Sequence, residues 1–419
     1  MVKAVMLLID RNESQCNQTL ITGGSTFMTS NSKIDNKLVQ SGRPPRVEGR
    51  HVNMPIELGS TMVFDRLEAF EAAKDRRYEN GTLYYGRYGT AASYQLENML
   101  AELEGATGVS LTSSGVSAIT MALMAFVKPG AHLLAADNLY GNTRNFCEMA
   151  LKPLGIEVEY FDSMIGDGVP GLIRDNTCAI IFEAPGTGTF EVPDIPAIAT
   201  AARSKGVISL LDGTWATPVF CQPLSLGVDV LIYSASKYII GHSDSMMGVI
   251  AASNAEINQK IRKMAYVYGE KPGSQEIFLA LRGLRTLQMR MERVNNSGIE
   301  IASWLQDQPQ VKRIIHPAFA DCPGHENWKR DFTGAAGLFS VVFHPCSDEQ
   351  IRDFINALHH FGIGVSWGGY ESLVLPVKPH RTATTWDEPG KLVRLNIGFE
   401  DPDSLKADLA AALTHLNEG

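Results

Sequence analysis

One lysine stands where a reactive amine could be held at the end of a buried strand. Residues 228–234 are almost entirely apolar, and Lys237 follows them in the stretch Ser234-Ala-Ser236-Lys237. A partly buried lysine near other cations has a lowered pKa, which leaves a neutral amine able to attack a carbonyl carbon. Taken alone, the same stretch also fits a serine turn that carries an exposed lysine.

Two further charged residues occupy comparable places. Asp212 follows the apolar run 207–211, at the carboxyl end of a strand, where open α/β sheets collect their ligand-binding groups. Arg394 interrupts the strand-like segment 392–397, where an inward guanidinium would need an anion such as a substrate carboxylate. Each has an ordinary alternative, because Asp212 could cap the next turn and Arg394 could lie on an exposed strand face.

Three other stretches suit a phosphate or a flat ring. Small residues at 112–118 open a helix whose free N–H groups suit a phosphate, although these are also common N-cap residues. Tyr140 follows a strand-like run and could cover a ring or pack at a rim. Tyr85 and Arg87 lie in a turn-rich link and offer phosphate donors, unless that turn is simply solvated.

Together these residues describe one site, with an amine, a carboxylate, an aromatic cover, a phosphate cradle and an arginine for a carboxylate. Pyridoxal phosphate and an amino-acid substrate require that set. Nucleotide motifs are missing, since there is no GxxxxGK[ST] and Gly186-Thr-Gly188 lacks the third glycine of GxGxxG. His242 and Asp244 have no third ligand at a suitable spacing, so no metal is predicted.

The order of apolar runs predicts an α/β fold with a mainly parallel central sheet. Short apolar runs alternate with segments of helical periodicity, which is typical of strands buried on both faces. The runs are residues 131–136, 156–161, 178–182, 207–211, 228–234 and 248–252, and the helical segments are 116–126, 142–151 and 195–204. A long helical stretch reaches residue 307, and strand-like segments at 338–343 and 392–397 follow it.

These segments predict a polar, irregular N-terminal arm at 1–60 and an α/β domain at 61–255. A linking helix and a smaller α+β domain are expected at 256–419. A chain of 419 residues exceeds what one core usually supports, which favours two domains.

Composition favours a small-molecule substrate. The net charge of -9 comes without a basic stripe, so neither nucleic acid nor an anionic membrane is an expected partner. Six cysteines lie far apart without a CxxC pair, which predicts neither a disulfide framework nor a zinc ribbon. No run resembles an export signal or a membrane span, and we expect a cytoplasmic protein.

The chain resembles the pyridoxal-phosphate enzymes of cysteine and methionine metabolism, which have the aspartate-aminotransferase-like fold (fold type I). The resemblance runs from about residue 55 to the C-terminus. The motifs that carry it are Tyr85-Gly-Arg87, Ser113-Ser-Gly115, Leu139-Tyr-Gly141, Asp212-Gly-Thr-Trp215, Ser234-Ala-Ser-Lys-Tyr238, Gly241-His-Ser-Asp244 and Arg282-Gly-Leu-Arg-Thr286. Gly213 is a departure, because the family commonly has Asn beside the aspartate.

Two segments resemble the bacterial cystathionine β-lyase branch of this family, namely Gly-His-Glu-Asn-Trp-Lys-Arg-Asp-Phe-Thr-Gly at 324–334 and Ser-Trp-Gly-Gly-Tyr-Glu-Ser-Leu at 366–373. The Ser-Asn-Pro type segment usual in the γ-synthases and γ-lyases is missing after the strand that ends near Phe182. The implied activity is cleavage of cystathionine to homocysteine, pyruvate and ammonia. A cysteine desulfhydrase, a methionine γ-lyase or a non-catalytic cofactor-binding homologue stay open as alternatives.

The resemblance also implies a role for each matching residue. Lys237 would bind the cofactor covalently and act as the base, Asp212 would pair with the ring nitrogen, and Tyr140 would stack on the ring. The implied phosphate ligands are the N–H groups of Gly115 and Val116, the hydroxyls of Ser234 and Ser236, and Tyr85 and Arg87 from a neighbouring subunit. Arg394, Ser366 and Trp367 would bind the substrate. A homotetramer built as a dimer of dimers is expected.

Overall fold

The structure is a computed structural model that describes residues 33–44 and 48–416. Its larger sheet has seven strands in the order β1-β7-β6-β5-β4-β2-β3, and only β7 runs antiparallel to its neighbours. In chain order they are β1 (Gly108–Thr112), β2 (His132–Ala136), β3 (Glu157–Phe161), β4 (Thr177–Glu183), β5 (Ile208–Asp212), β6 (Val230–Ser234) and β7 (Gly248–Ala252).

This sheet confirms the predicted α/β class and each of the six apolar runs. Strand β1 was missed because its sequence, Gly-Val-Ser-Leu-Thr, mixes polar and apolar residues. It is nevertheless mostly buried, since it pairs with β7 at the edge of the sheet and helices cover it.

Thirteen α-helices can be assigned in the described residues. They are α1 (Ile34–Gln40), α2 (Leu67–Asp75), α3 (Ala91–Glu104), α4 (Gly115–Met124), α5 (Gly141–Phe146), α6 (Ile195–Ser204), α7 (Thr217–Phe220), α8 (Ala255–Tyr268), α9 (Ser274–Leu284), α10 (Leu287–Gln306), α11 (His325–Asp331), α12 (Asp348–Asn356) and α13 (Pro402–Leu413). A π-helical turn, Cys147–Leu151, continues α5, and 3-10 turns cover Gly166–Gly171 and Thr414–Leu416. The helices at 115–124, 141–151 and 195–204 match the three predicted helical segments.

The stretch predicted as one linking helix forms three helices, α8, α9 and α10. Helix α8 ends at Gly269, whose φ of 79° lies in the left-handed region that favours glycine. Pro272 and Gly273 then separate α8 from α9, since neither residue favours a helix interior. The prediction of a single helix was wrong because these breakers lie within an otherwise periodic segment.

A second, five-stranded sheet follows in the order β10-β11-β12-β9-β8, and all its pairs are antiparallel except β10 with β11. Its strands are β8 (Val311–Ile315), β9 (Leu338–Phe343), β10 (Gly362–Ile363), β11 (Leu373–Val377) and β12 (Lys391–Asn396). A separate buried cluster around Phe339 and Phe354 packs between this sheet and the last helices. The smaller α+β unit is therefore confirmed.

Part of the predicted N-terminal arm is ordered against the body of the protein. Leu38 of α1 is only 1% exposed, and the Arg285 guanidinium donates to the carbonyls of Leu38 at 2.7 Å and Ser41 at 2.6 Å. The expectation of irregular structure was thus wrong for α1. Residues 1–32, which include Cys16, lie outside the described residues, as do 45–47.

Residues 33–44 and 48–416 contain neither a candidate membrane-spanning helix nor a candidate metal-binding cluster. No helix in these ranges combines the length and the apolar character needed to cross a membrane. Within the same ranges, no group of three or more His, Cys, Asp and Glu residues is placed to hold a metal ion.

Glu104, at the end of α3, carries a buried carboxyl that is 1% exposed and whose oxygens meet no hydrogen-bond partner in the described structure. Burial raises its pKa to about 8, and the neighbouring Tyr233 phenol opposes this to a smaller extent. The folded state therefore favours the protonated form, and stability is lost as pH rises from about 4.5 to about 8.

Glu104→Gln should consequently raise the melting temperature at pH 8.5 by several degrees, and change it little at pH 4. Thermal unfolding at both pH values measures this. Glu71→Gln, on the exposed face of α2, is the matched control and should change neither. A Glu104→Gln variant less stable than wild type at pH 8.5 would contradict the assignment.

Candidate active site

A cavity of about 1020 Å³ opens where the carboxyl ends of β4, β5 and β6 meet the start of α4 and two segments of the smaller sheet unit. This volume is large enough for a cofactor together with a substrate. All predicted site residues line it except Tyr85 and Arg87: Gly115, Val116, Tyr140, Asp212, Ser234, Ser236, Lys237, Ser366, Trp367 and Arg394. The fold therefore brings together residues that lie up to 279 positions apart in sequence, from 115 to 394.

Lys237 reaches the centre of this cavity from the turn after β6. Its backbone N–H donates to the Ser234 carbonyl at 3.1 Å, and its Nζ donates to Ser366 Oγ at 2.6 Å. Burial, and to a smaller extent the Arg394 charge, lower the pKa of Lys237 to about 8, although the Asp212 charge opposes both. A substantial fraction of this amine is thus neutral near pH 8, as the sequence analysis required.

Asp212 is held in place by the residues that follow it. Its Oδ1 accepts the Thr214 N–H at 3.0 Å and the Thr214 hydroxyl at 2.5 Å. Burial raises the pKa of Asp212, whereas the Thr214 donors and the Lys237 charge lower it. A Cβ on Gly213 would lie 2.8 Å from Leu231 Cδ1, so an Asn in its place would require Leu231 to move. The two Thr214 bonds thus hold the Asp212 carboxylate although position 213 has no side chain.

Arg394 and Ser366 form the side of the cavity that belongs to the smaller sheet unit. Strand β12 places Arg394 opposite Leu375 of β11 and Ser340 of β9, and its Nη2 donates to the Ser366 carbonyl at 3.1 Å. Ser366 has a φ of 104°, an uncommon conformation for a residue with a side chain, and its hydroxyl accepts from Lys237. Burial lowers the pKa of Arg394, and among the described residues its guanidinium makes one hydrogen bond, which leaves other N–H donors for an anion.

The start of α4 forms a narrow cradle beside Ser234. Ser114 caps the helix by accepting the Ser117 N–H at 3.1 Å, and the first N–H groups of a helix have no partner within it. A Cβ on Gly115 would lie 2.5 Å from Ser234 Cβ, so only glycine allows this approach. Ser236 binds the Met247 backbone through its hydroxyl, which accepts the N–H at 3.0 Å.

Tyr140 and Glu183 lie in contact with each other in another part of the cavity wall. Tyr140 is 39% exposed, and its backbone N–H donates to Glu183 Oε2 at 2.7 Å, while the Thr187 hydroxyl donates to Glu183 Oε1 at 2.5 Å. Glu183 was not among the predicted site residues, because the strand was taken to end near Phe182. The sequence does contain a signal for this residue, because Glu183 directly follows the apolar run 178–182, just as Asp212 directly follows the run 207–211.

Asp137, which was also not predicted as a site residue, joins the two sheet units. Its carboxylate accepts the backbone N–H groups of Thr382, Ala383 and Thr384 at 2.8 to 3.0 Å, and pairs with Arg144 at 2.5 Å. Burial raises its pKa, but these donors prevail and lower it to about 2. The segment that Asp137 binds connects β11 to β12, the strand of Arg394, and so ties the smaller sheet unit to the end of β2.

Tyr85 and Arg87 do not line this cavity of their own chain. Tyr85 is 40% exposed, and Arg87 Nη1 donates to the Tyr266 carbonyl at 2.5 Å. His242, which had suggested a metal, contacts the Ile240 carbonyl through Nδ1 at 2.6 Å, within the turn after Lys237.

The donor set fits pyridoxal phosphate. A narrow cradle at a helix start suits a phosphate, a held carboxylate suits a ring nitrogen, and a lysine with a lowered pKa suits an aldehyde. The parallel sheet, the smaller antiparallel sheet and this cavity define a pyridoxal-phosphate enzyme of fold type I.

Comparison with known proteins gives the family. The model of the Cys/Met metabolism PLP-dependent enzymes matches residues 35–414, and the chain belongs to that family. It is 38% identical over 395 residues to cystathionine beta-lyase MetC of Escherichia coli (92% of this chain, 100% of the relative). It is 36% identical over 403 residues to an L-alanine/L-glutamate racemase of Wolbachia pipientis (92% and 98%). The metB structure from Corynebacterium glutamicum superposes with a TM-score of 0.85 at 28% identity, covering 93% of this chain and 100% of that one.

The lowered pKa of Lys237 predicts a pH dependence for the cofactor-free protein. Covalent attachment of added pyridoxal phosphate should become faster as pH rises and level off above about pH 8, because only the neutral amine reacts. Arg394→Gln should move the midpoint upward, since a neighbouring cation is removed. Stopped-flow absorbance measures both rates, and Arg174→Gln, at an exposed ion pair far from the cavity, is the control. A wild-type midpoint near the ordinary lysine value of 10.5 would contradict the assignment.

Proposed function

We propose that the chain is a pyridoxal-phosphate-dependent carbon–sulfur β-lyase that cleaves L-cystathionine to homocysteine, pyruvate and ammonia, a step of methionine biosynthesis. The observation that carries the lyase chemistry is the Lys237 amine, 2.6 Å from Ser366 Oγ, in one cavity with Asp212 and Arg394. The choice of cystathionine is supported by the 38% identity to the E. coli relative over nearly its whole length.

The proposed cofactor ligands are the residues of the cradle and of the two strand ends. The N–H groups of Gly115 and Val116 and the hydroxyls of Ser234 and Ser236 would hold the phosphate, and Tyr140 would cover the ring. Asp212 keeps a proton on the ring nitrogen by its charge. When bound, pyridoxal phosphate supplies an aldehyde for the substrate amine and a ring that accepts the electron pair released at Cα.

The proposed substrate contacts follow from the free donors of Arg394. Its guanidinium binds the substrate α-carboxylate as a bidentate pair, with Ser366 and Trp367 on either side, and so orients the Cα–H bond. Trp367 lies beside the reactive amine, with its ring centre 5.6 Å from Lys237 Nζ. A substrate bound by Arg394 and Trp367 would therefore lie beside the Lys237 amine.

Lys237 then performs the proton transfers. Its neutral amine takes the proton from Cα, the Cβ–S bond breaks with its electron pair on sulfur, and the sulfur takes up a proton to leave as the homocysteine thiol. The protonated Lys237 is one donor for that sulfur, and the Tyr140 phenol is a second. Water converts the three-carbon remainder to pyruvate and ammonia.

Tyr85 and Arg87 are proposed to complete the phosphate site of a neighbouring subunit, within a homotetramer built as a dimer of dimers. Their positions outside the cavity of their own chain support this. Mixing inactive Lys237→Ala and Arg87→Ala subunits should then restore part of the activity, because some sites in a mixed dimer carry neither change. The five cysteines in the described part of the chain are free thiols, which supports our placing the enzyme in the cytoplasm.

A steady-state substrate series tests the proposal. Cystathionine, cystine, cysteine, methionine, O-acetylhomoserine and L-alanine are compared, with D-alanine detected separately because of the racemase relative. We expect the highest kcat/KM for cystathionine. A higher value for methionine would indicate a γ-lyase, for cysteine a desulfhydrase, and D-alanine as the fastest-formed product would indicate a racemase. No turnover of any substrate by protein that binds the cofactor would indicate a non-catalytic homologue.

A further inference from the structure

The cavity holds a second carboxyl beside Asp212, that of Glu183, to which the proposed function assigns no role. Glu183 ends β4 as Asp212 ends β5, and the two residues are Cα partners across this parallel pair. Both line the cavity. Two carboxyls at adjoining strand ends repel each other when both are ionised, so such a pair tends to keep one proton.

The contacts around the pair show which carboxyl keeps the proton. Asp212 accepts two hydrogen bonds from Thr214 and lies near the Lys237 cation, and both favour its charged form. No cation is bonded to Glu183, whose partners in the described structure are the Tyr140 N–H and the Thr187 hydroxyl. Burial raises the pKa of Glu183 well above its ordinary value, and the Asp212 charge raises it further.

The geometry at Glu183 satisfies a neutral carboxyl completely. Its carbonyl oxygen, Oε2, accepts the Tyr140 N–H at 2.7 Å. Its other oxygen, Oε1, lies 2.5 Å from the Thr187 hydroxyl, and a protonated carboxyl can donate to that hydroxyl in place of accepting from it. A second bond joins the same two turns, because the Thr187 N–H donates to the Asn138 carbonyl at 3.0 Å.

We propose that Glu183 is a positioning residue whose neutral carboxyl fixes the turn at Tyr140 against the loop at 183–188, while Asp212 keeps the negative charge of the pair. The inference rests on the proposed function only for the contacts of Tyr140 and Asp212 with the cofactor. Its test needs no lyase reaction, because it measures binding and absorbance of pyridoxal phosphate itself.

Glu183→Gln and Glu183→Leu test the proposal as a pair. A glutamine keeps both bonds, since its carbonyl accepts from Tyr140 and its amide donates to Thr187. Glutamine is therefore expected to keep the dissociation constant for pyridoxal phosphate, titrated into cofactor-free protein, within about threefold of wild type. Leucine has neither group and should weaken binding about tenfold or more. Glu157→Gln, at the exposed end of β3, is the control and should match wild type.

The pH titration of the bound cofactor's visible absorbance separates a neutral Glu183 from an ionised one. Glu183→Gln should leave the midpoint where wild type has it, because no charge is removed. A midpoint moved by about one unit in Glu183→Gln would show an ionised Glu183 and overturn the proposal. The proposal would also be overturned if glutamine and leucine weakened cofactor binding equally, or if Glu183→Leu bound the cofactor as wild type does.

If Glu183→Leu does not fold, the glutamine variant still decides, since its affinity and its midpoint must both match wild type. Loss of thermal stability without a change in affinity or absorbance would indicate a purely structural residue and also contradict the proposal. Failure of the proposed function would be seen separately, as wild-type protein that binds the cofactor normally but gives other products from cystathionine.

Discussion

If Lys237 has its proposed roles, Lys237→Ala should abolish turnover, with kcat reduced about a thousandfold or more, because the variant would lose both the covalent attachment of the cofactor and the base at Cα. Lys237 Nζ is the amine held by Ser366 and kept partly neutral by burial and by Arg394. Cofactor binding should persist in weakened form, since the phosphate cradle at Gly115 and the carboxylate of Asp212 remain. The experiment compares kcat with the mass of cofactor retained after borohydride reduction and denaturation.

A matched substitution gives the control for this variant. Lys205→Ala removes an exposed lysine after α6, and it should keep wild-type kcat and retain the cofactor after reduction. The assignment of Lys237 would be wrong if Lys237→Ala retained as much cofactor as Lys205→Ala, or if its kcat stayed within tenfold of wild type.

Asp137→Ala should give the largest loss of stability, about 3 to 5 kcal/mol, because it leaves the buried Arg144 guanidinium without its carboxylate. It also removes the acceptor for three backbone N–H groups in the segment that joins β11 to β12. The low native pKa of about 2 means that this stabilisation is present above about pH 4 and lost as pH falls through 2.

Urea unfolding at pH 7.5 measures this loss, and Asp175→Ala, in an exposed turn, should change the free energy of unfolding by less than about 0.5 kcal/mol. Because Asp137 fixes the segment before Arg394, we also expect a raised KM for the substrate in any folded Asp137→Asn variant. A free energy of unfolding for Asp137→Ala within 1 kcal/mol of wild type would contradict the role given to this carboxylate.

Much of the larger sheet could be predicted from the sequence because most of its strands are buried on both faces and therefore form largely apolar runs. The same property made the strand ends visible, and Lys237 and Asp212 were found by their places just after such runs. β1 escaped because serine and threonine interrupt its apolar residues. The breaks around Gly269 were overlooked because helical periodicity resumes immediately after them.

The contacts between distant segments had no comparable pattern. Asp137 binds the N–H of Thr382, 245 residues away, and that pairing depends on how the smaller sheet unit packs on the larger one. Glu183 could have been found by its place after an apolar run, but its bond to the Tyr140 backbone could not, since that bond follows from the pairing of β4 with β2. A family resemblance supplied roles for the residues that its motifs contain, but it did not indicate these supporting carboxyls.

The products formed from cystathionine test the central claim most directly. Purified protein loaded with pyridoxal phosphate is incubated with L-cystathionine, and both halves of the molecule are identified by mass spectrometry. Cleavage of the Cβ–S bond predicts pyruvate and homocysteine in equal amounts, together with ammonia, and no activity in Lys237→Ala. Formation of 2-oxobutyrate and cysteine would contradict the account, because those products require cleavage on the other side of the sulfur.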